Sequence, residues 1–246
     1  MKELEGKVAL VTGGGSGIGE ATCLMLAERG AKVVVADIDL AKAQAVVDRI
    51  GANAVAVQAD TSKAADCNAM VAKAMDAFGA LHIGVNNAGI GGPQMPTGDY
   101  PDDGWDKVIG INLSGVFYSS RAQIPAMLKS GGGSIVNIAS ILGSVGFPYS
   151  CAYVAAKHGV VGLTKAIALE YAQQGIRCNS VGPGFINTPL LASADKAILD
   201  GIAAKHASNR LGESAEVAEL IVFLASDRAS NMTGGYYLSD GGYTAQ

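Results

Sequence analysis

The chain has 246 residues, 49% of them hydrophobic and 16% charged, which is enough to bury a large core in a single domain spanning residues 1–246. Lysine and arginine together number 18 against 22 acidic residues, giving a formal charge of −4. A chain with this charge has no basic footprint for nucleic acid or for an anionic membrane surface, so a small-molecule ligand is expected.

Short β-branched runs alternate with alanine-rich helical stretches along the whole chain, which is typical of βαβ units around a parallel sheet. Most of the strands are continuous apolar runs, as expected where helices cover both faces of a sheet. We therefore predict an α/β, Rossmann-like, doubly wound fold with a parallel seven-stranded sheet. The predicted strands are Val8 to Val11, Lys32 to Ala36, Ala54 to Gln58, Ile83 to Asn86, Ile135 to Ala139, Arg177 to Val181 and Tyr236 to Leu238. The predicted helices are Ile18 to Arg29, Leu40 to Ile50, Ala64 to Phe78, Trp105 to Ile111, Val116 to Lys129, Ala152 to Gln173, a short one around Asp195 to Lys205, and Ala215 to Ala225.

A glycine-rich turn lies between the first predicted strand and the first predicted helix. Its glycines, Gly13, Gly17 and Gly19 among them, permit a tight turn and let backbone N–H groups approach a pyrophosphate at the positive end of the helix. A Walker-type phosphate loop requires Gly-Lys-Ser/Thr, whereas this chain has Gly19-Glu20-Ala21, which argues against that alternative. The turn therefore predicts a dinucleotide site.

The residue at the end of the second strand indicates which dinucleotide is bound. Asp37 follows Gly19 by 18 positions, where an acid can hydrogen-bond the adenosine ribose hydroxyls and repel a 2′-phosphate. Ile38 comes next, and the glycine turn contains no lysine or arginine, so the pattern favours NAD over NADP. The alternative is that Asp37 only caps the helix that begins near Leu40.

Two residues in the predicted helix Ala152 to Gln173 indicate the chemistry. Tyr153 and Lys157 are four positions apart and therefore share one helix face. A phenol has a pKa of about 10, but a neighbouring ammonium and a cationic oxidised nicotinamide would lower that pKa toward neutral pH. Ser140 ends the fifth strand, at the carboxyl edge where open α/β sheets bind ligands. Tyr-x-x-x-Lys alone would be weak evidence, because it occurs by chance on many helix surfaces.

Taken together, the motifs resemble those of the short-chain dehydrogenase/reductase family, in its short single-domain branch. The Gly-x-x-x-Gly-x-Gly spacing is that family's form. The matching elements span nearly the whole chain and are Thr12-Gly13-x-x-x-Gly17-x-Gly19, Asp60, Asn86-Asn87-Ala88-Gly89, Asn112, Ser140, Tyr153-x-x-x-Lys157 and Pro183-Gly184-x-x-x-Thr188.

The resemblance implies an NAD-dependent oxidoreductase, an alcohol dehydrogenase or carbonyl reductase, that moves a hydride between a nicotinamide and a secondary alcohol or ketone. Tyr153 would be the catalytic acid/base, and Ser140 would hydrogen-bond the substrate oxygen. Lys157 would hold the ribose and lower the pKa of Tyr153, while Asn112 would anchor a water that relays the proton. The implied cofactor contacts are Gly13, Ser16, Gly17, Ile18, Gly19, Asp37, Asp60, Thr61, Asn87, Ala88, Gly89, Tyr153, Lys157, Pro183, Gly184, Ile186 and Thr188.

The segments that follow Ser140 and Gly184, residues 141–151 and 185–191, are largely neutral and apolar and contain no lysine or arginine. We therefore expect a neutral, largely apolar alcohol or ketone as substrate, since an anionic one would need a cationic partner. The family resemblance also implies a homotetramer. The predicted substrate contacts are Ser140, Leu142, Phe147, Tyr153, Phe185 and Leu190.

Two other functions remain open. An NADPH-dependent 3-oxoacyl-thioester reductase would share the same catalytic residues, although Asp37 argues against it. A catalytically silent NAD-binding sensor could keep the glycine turn, although retention of the four catalytic residues argues against it. The four cysteines and three histidines show no zinc-ligand spacing, so no metal is expected. Charges near the start of the chain argue against a signal peptide, which predicts a cytoplasmic protein without membrane association.

Overall fold

The computed structural model describes residues 2–191 and 195–245, without the side chain of Leu190. Seven strands form one parallel sheet in the order β3-β2-β1-β4-β5-β6-β9, and β7 and β8 form a separate parallel pair. From β1 the chain adds β2 and β3 on one side of the sheet, and from β4 onward it adds strands on the other side. A doubly wound sheet opens a ligand crevice at this point, between β1 and β4. The strands are β1 (Val8–Thr12), β2 (Lys32–Asp37), β3 (Ala54–Gln58), β4 (Ile83–Asn86), β5 (Gly133–Ile138), β6 (Ile176–Pro183), β7 (Ile186–Asn187), β8 (Gly212–Glu213) and β9 (Tyr236–Ser239).

Helices cover both faces of the sheet, so each strand is buried on two sides. Along β1, Ala9 and Val11 pack into a core with α1, α2 and α8, whereas Val8 and Leu10 pack into a second core with α3, α5 and α6. This two-sided burial is the reason the strands are continuously apolar. The helices are α1 (Gly17–Glu28), α2 (Leu40–Ile50), α3 (Ala64–Phe78), α4 (Asp102–Ile109), α5 (Gly115–Lys129), α6 (Cys151–Tyr171), α7 (Lys196–Ala203) and α8 (Ser214–Ala225).

The predicted fold class is confirmed, and the predicted strands and helices are found with ends displaced by a few residues. Two features were not predicted. The β7–β8 pair consists of two residues in each strand, which is too short to show any hydropathy period. The other is a wide π-helical turn, Gly110–Ser114, that joins α4 to α5 and contains Asn112.

A buried polar network, formed by Asn86, Ser120, Gln123, Asn137 and Thr164, lies beneath the carboxyl edge of the sheet. Asn86 Nδ2 donates to Asn137 Oδ1 at 2.8 Å and to Ser120 Oγ at 3.0 Å, and Gln123 Nε2 donates to Asn86 Oδ1 at 2.9 Å. Asn137 Nδ2 in turn donates to Thr164 Oγ1 on α6 at 3.0 Å. These bonds connect β4 and β5 to α5 and α6, so polar groups that would be costly if unpaired instead fix the helices on the sheet.

None of the helices in the described part of the chain combines the length and apolarity that crossing a bilayer requires. Residues 2–191 and 195–245 also bring together no group of three metal-ligating side chains.

Candidate active site

A cavity of about 780 Å³ lies along the carboxyl edge of the sheet, and its lining residues include Asp37, Ser140 and Phe147. Its wall contains every predicted cofactor contact except Gly19, and every predicted substrate contact except Leu190, whose side chain is outside the described part of the chain. The structure therefore brings together residues that are more than 150 positions apart in sequence, such as Gly13 and Thr188.

The glycine turn forms the cavity wall at the start of α1. Gly13 and Gly17 have φ of +61° and +55°, in the left-handed region that favours glycine. Gly19 is absent from the cavity wall, and a Cβ there would collide with the Gly13 carbonyl oxygen, so its role is to let the helix pack against the turn. Ser16, at the N-cap, makes no side-chain cap to α1, which leaves first-turn N–H groups for an anionic ligand.

Asp37 and Asp39 have different roles at the end of β2. The Asp37 carboxylate lines the cavity and accepts hydrogen bonds from the Gly15 amide at 2.9 Å and the Asp39 amide at 3.0 Å. Helix α2 is capped instead by Asp39, whose side chain accepts from the amides of Ala41 and Lys42. Helix capping is therefore the role of Asp39, and Asp37 remains directed to the cavity. Among the described lining residues, the only lysine or arginine is Lys157.

The segment after β4 forms the opposite wall and is tied to the glycine turn through Asn87. Asn87 Nδ2 donates to the Thr12 and Gly13 carbonyl oxygens at 3.0 and 3.1 Å. The Thr12 hydroxyl accepts from the amides of Asn87 and Ala88 at 3.0 and 3.1 Å. Two walls of the cavity, one from each side of the β1–β4 crevice, are held together by these bonds.

Tyr153, Lys157 and Ser140 lie close together in the cavity wall. Lys157 Nζ is 5.4 Å from the centre of the Tyr153 ring and donates to the Ile138 carbonyl oxygen at 2.7 Å. Lys157 is only 3% exposed, and this burial lowers the pKa of its ammonium to about 8. The Ser140 hydroxyl accepts from the Leu142 amide at 3.2 Å, which orients it at the end of β5.

The protein surroundings of the Tyr153 phenol raise its pKa. The lowered pKa that the sequence predicts depends on a cationic nicotinamide beside the ring and stays a prediction. Burial is the larger effect, and a hydrogen bond with the Ser140 side chain offsets part of it. A low-dielectric site disfavours the phenolate unless positive charge is close to it. Ionisation of Tyr153 therefore depends on a further cation beside the ring.

Asn112 is buried in the π-helical turn and is absent from the cavity wall. Its Oδ1 accepts from the Ile90 amide at 3.0 Å, and its Nδ2 donates to the Ile90 carbonyl oxygen at 2.8 Å. The side chain thus anchors the loop that follows Gly89. The water relay expected of Asn112 stays a prediction.

The chain matches a known family model over residues 13–244, described as enoyl-(acyl carrier protein) reductase. The chain belongs to the short-chain dehydrogenase/reductase family. It is 51% identical to a cyclohexanol dehydrogenase of Acinetobacter sp. (strain SE19), over 98% of this chain and 96% of that protein. It is 43% identical to a cis-4-hydroxycyclohexanecarboxylate dehydrogenase of Sinomonas cyclohexanicum, over 97% of each chain.

Among solved structures, the crystal structure of levodione reductase is similar with a TM-score of 0.94 and 38% identity, covering 98% of this chain and 99% of that one. Dehydrogenases of the short-chain dehydrogenase/reductase family use a nicotinamide cofactor, and the chain is an oxidoreductase of this kind. The predicted family is confirmed.

Tyr236 is a site residue that sequence reasoning missed. This short-chain dehydrogenase has Tyr236 at the start of β9, where its hydroxyl donates to the Ser140 carbonyl oxygen. A Cβ on Gly182 would lie 2.6 Å from the Tyr236 ring, so glycine there makes room for the ring to reach across β6. Tyr236 is 96 positions from Ser140, and no local pattern in the sequence indicates the contact.

We expect Tyr236→Phe to lower kcat by about 3- to 10-fold, the usual effect of losing one net hydrogen bond. The reason is that the Ser140 backbone would lose a positioning contact while the cofactor wall stays intact. Steady-state kinetics should show the loss in kcat with KM for the cofactor unchanged. Tyr237→Phe is the matched control, because Tyr237 packs against the core that contains Ala9 and Val11. A wild-type kcat in Tyr236→Phe would contradict the positioning role of Tyr236.

Proposed function

We propose that the chain is an NAD-dependent dehydrogenase that interconverts a neutral secondary alcohol on a six-membered carbocycle with the corresponding ketone. The observation that carries the proposal is the position of Tyr153, Ser140 and Lys157 in one cavity that also contains Asp37. The names of the two curated relatives, which describe alcohols on six-membered rings, support the choice of ring.

The described residues fit a nicotinamide dinucleotide. The uncapped first turn of α1 offers N–H groups for the pyrophosphate, and Asp37 offers a carboxylate for ribose hydroxyls. Lys157 would hold the nicotinamide ribose, with Pro183 and Thr188 on the wall around the ring. When bound, the oxidised cofactor supplies the acceptor for a hydride and a positive charge near Tyr153.

The protein's own residues handle the proton and the substrate oxygen. Ser140 donates a hydrogen bond to the oxygen, and the Tyr153 phenolate takes the hydroxyl proton as the carbinol carbon loses its hydride. The products balance as a ketone, the reduced cofactor and one proton. The positive charges of Lys157 and of the oxidised cofactor counter the effect of burial on the pKa of Tyr153.

The substrate end of the cavity favours a neutral ring. Leu142, Phe147 and Phe185 line it, and the rings of Phe147 and Phe185 are 5.9 Å apart. Apolar walls with few polar groups suit a carbocycle, whereas an anionic substrate would require a cation besides Lys157. Asp37 also disfavours NADPH, and therefore the 3-oxoacyl-thioester reductase.

The proposal includes a homotetramer assembled through α5 and α6. Both helices carry apolar side chains toward solvent, with Phe117 43% exposed and Leu169 85% exposed. Burial of these apolar side chains against further copies of the chain is energetically favourable, so the two helix faces suit a subunit interface. Sedimentation equilibrium measures the mass, and a monomer at micromolar concentration would rule this assembly out.

The function is tested by following absorbance at 340 nm with purified protein, cyclohexanol and either NAD or NADP. We expect turnover with NAD, weaker turnover with NADP, and the reverse reaction with cyclohexanone and NADH. Calorimetry with NAD is the accompanying measurement. Binding of NAD without turnover of any ring alcohol would contradict the enzyme and favour the sensor, and turnover with NADP alone would contradict the cofactor assignment.

A further inference from the structure

His206 is a buried histidine, 4% exposed, in the turn that follows α7. Its Nε2 accepts a hydrogen bond from the Phe185 amide at 3.2 Å. A backbone amide can only donate, so Nε2 carries no proton, and the neutral ring has its proton on Nδ1. Nδ1 lies 3.1 Å from the Ile202 carbonyl oxygen in the last turn of α7 and donates to it. The imidazole therefore connects α7 to the backbone of Phe185.

Three separate parts of the chain hold the backbone around Phe185. The Gly184 amide donates to the Ser239 carbonyl oxygen on β9 at 3.0 Å, and the Phe185 carbonyl oxygen accepts from the Gly212 amide on β8 at 3.0 Å. The remaining polar group, the Phe185 amide, is held by His206. A Cβ on Gly184 would lie 2.9 Å from the Nε2 of His206, so glycine at this position leaves room for the imidazole.

The ring of Phe185 belongs both to the cavity wall and to a cluster of aromatic rings. Its centre is 5.9 Å from the edge-on ring of His206 and 5.8 Å from the ring of Tyr243. It is also 5.9 Å from the ring of Phe147, the other aromatic residue that lines the substrate end of the cavity. Lys205 Nζ lies 5.5 Å from the centre of the Phe147 ring. Two consecutive residues after α7 therefore contact both aromatic residues of the substrate end.

The position of Phe185 bears on the size of the substrate ring. An apolar pocket distinguishes substrates that differ by one methylene by about 10- to 200-fold. A six-membered ring has one methylene more than a five-membered ring, and that methylene adds binding energy only if a side chain such as Phe185 contacts it. If Phe185 moved away from the cavity, binding of the larger ring would therefore weaken more than binding of the smaller one.

We propose that His206 is a positioning residue for substrate selectivity, and that its neutral imidazole holds Phe185 against the substrate so that a six-membered ring is preferred to a five-membered one. This inference rests on the proposed function and names what selects the ring. His206 is absent from the described cavity wall and acts through Phe185. Loss of its bond would leave Tyr153 and Ser140 in place, so the main effect is on KM for the alcohol.

The test compares kcat and KM for cyclohexanol and cyclopentanol at saturating NAD. His206→Asn keeps a donor for the Ile202 carbonyl oxygen but is too short to reach the Phe185 amide. His206→Gln places an oxygen near the position of Nε2, where it can accept from that amide. We expect the wild type to prefer cyclohexanol. His206→Asn should lower the ratio of the two kcat/KM values about 3- to 10-fold, the range for one lost hydrogen bond, mainly through KM for cyclohexanol. His206→Gln should restore most of the ratio.

Ser208→Ala is the control, because it changes an exposed side chain in the same segment and leaves the bond between His206 and Phe185 intact. It should keep the wild-type ratio. An unchanged ratio in His206→Asn, or an equal reduction in the Asn and Gln variants, would overturn the positioning role and leave the proposed function standing. A wild type that shows no preference for cyclohexanol, or turns over neither alcohol, would contradict the proposed function and the inference together.

The proton on His206 gives a second measurement that requires no change in the site. NMR of the wild-type protein, with its histidines labelled with nitrogen-15, distinguishes a proton on Nδ1 from one on Nε2, and the His206→Gln spectrum identifies the His206 signals. We expect the proton on Nδ1. A proton on Nε2 would leave no acceptor for the Phe185 amide and would overturn the inference, whatever the kinetics of the variants.

Discussion

Replacing Tyr153 with phenylalanine is expected to lower kcat for alcohol oxidation by about 10²- to 10⁴-fold, the range for loss of a general acid/base. The substitution removes one oxygen from a buried site in which Ser140 contacts that oxygen and Lys157 lies 5.4 Å from the ring centre. The ring itself is retained, so the packing of α6 should change little. Absorbance at 340 nm gives kcat, and calorimetry gives the affinity for NAD, which we expect to stay within about twofold of wild type.

Tyr171→Phe is the matched control for this experiment. Tyr171 ends the same helix and packs at the edge of the second core, far from the cavity wall. The control should keep the wild-type kcat. A Tyr153→Phe protein that turns over at the wild-type rate would refute the catalytic assignment, because no other phenol lines the described cavity.

Replacing Asp37 with alanine should reduce the preference for NAD over NADP by about 10- to 100-fold. The carboxylate lies at the cavity wall, where it would bind ribose hydroxyls and repel a 2′-phosphate. Hydrogen bonds to a charged group are worth about 1.5 to 3 kcal/mol, which corresponds to this range. The measurement is the ratio of kcat/KM for the two cofactors with one alcohol.

Two further variants separate the charge of Asp37 from its support of the turn. Asp37→Asn keeps an acceptor for the Gly15 amide but removes the negative charge, so it should still reduce the preference for NAD over NADP. Asp39→Ala removes the cap of α2, which should lower the free energy of unfolding by about 1 kcal/mol without changing the preference for NAD over NADP. An unchanged ratio in both Asp37 variants would refute the ribose assignment.

The fold could be predicted because its strongest signals are local. The apolar run of β1, the glycine turn and the amphipathic stretches that follow are consequences of burial on two sides and of a tight strand-to-helix connection. The carboxyl-edge position of Ser140 and the one-turn spacing of Tyr153 and Lys157 also follow from element geometry. The likeness of the ordered motifs to one family supplied the rest of the candidate site.

Features that depend on tertiary contacts could not be predicted. The Tyr236 hydroxyl contacts the Ser140 carbonyl oxygen from a strand 96 positions farther along the chain, and no local pattern indicates this. The raised pKa of Tyr153 also depends on how deeply the folded chain buries it, which spacing along a helix does not indicate.

The buried polar network beneath the cavity limits which substitutions this sequence can accept during evolution. Asn86 and Asn137 exchange hydrogen bonds with partners on both sides, so replacing either one strands donors or acceptors on its neighbours. Each stranded group costs about 1 to 3 kcal/mol, a large part of the 5 to 15 kcal/mol that typically separates folded from unfolded chains. A substitution of Asn86 or Asn137 would therefore need a compensating substitution at a hydrogen-bond partner. During evolution, the residues at the substrate end of the cavity could change far more freely than the polar network beneath it.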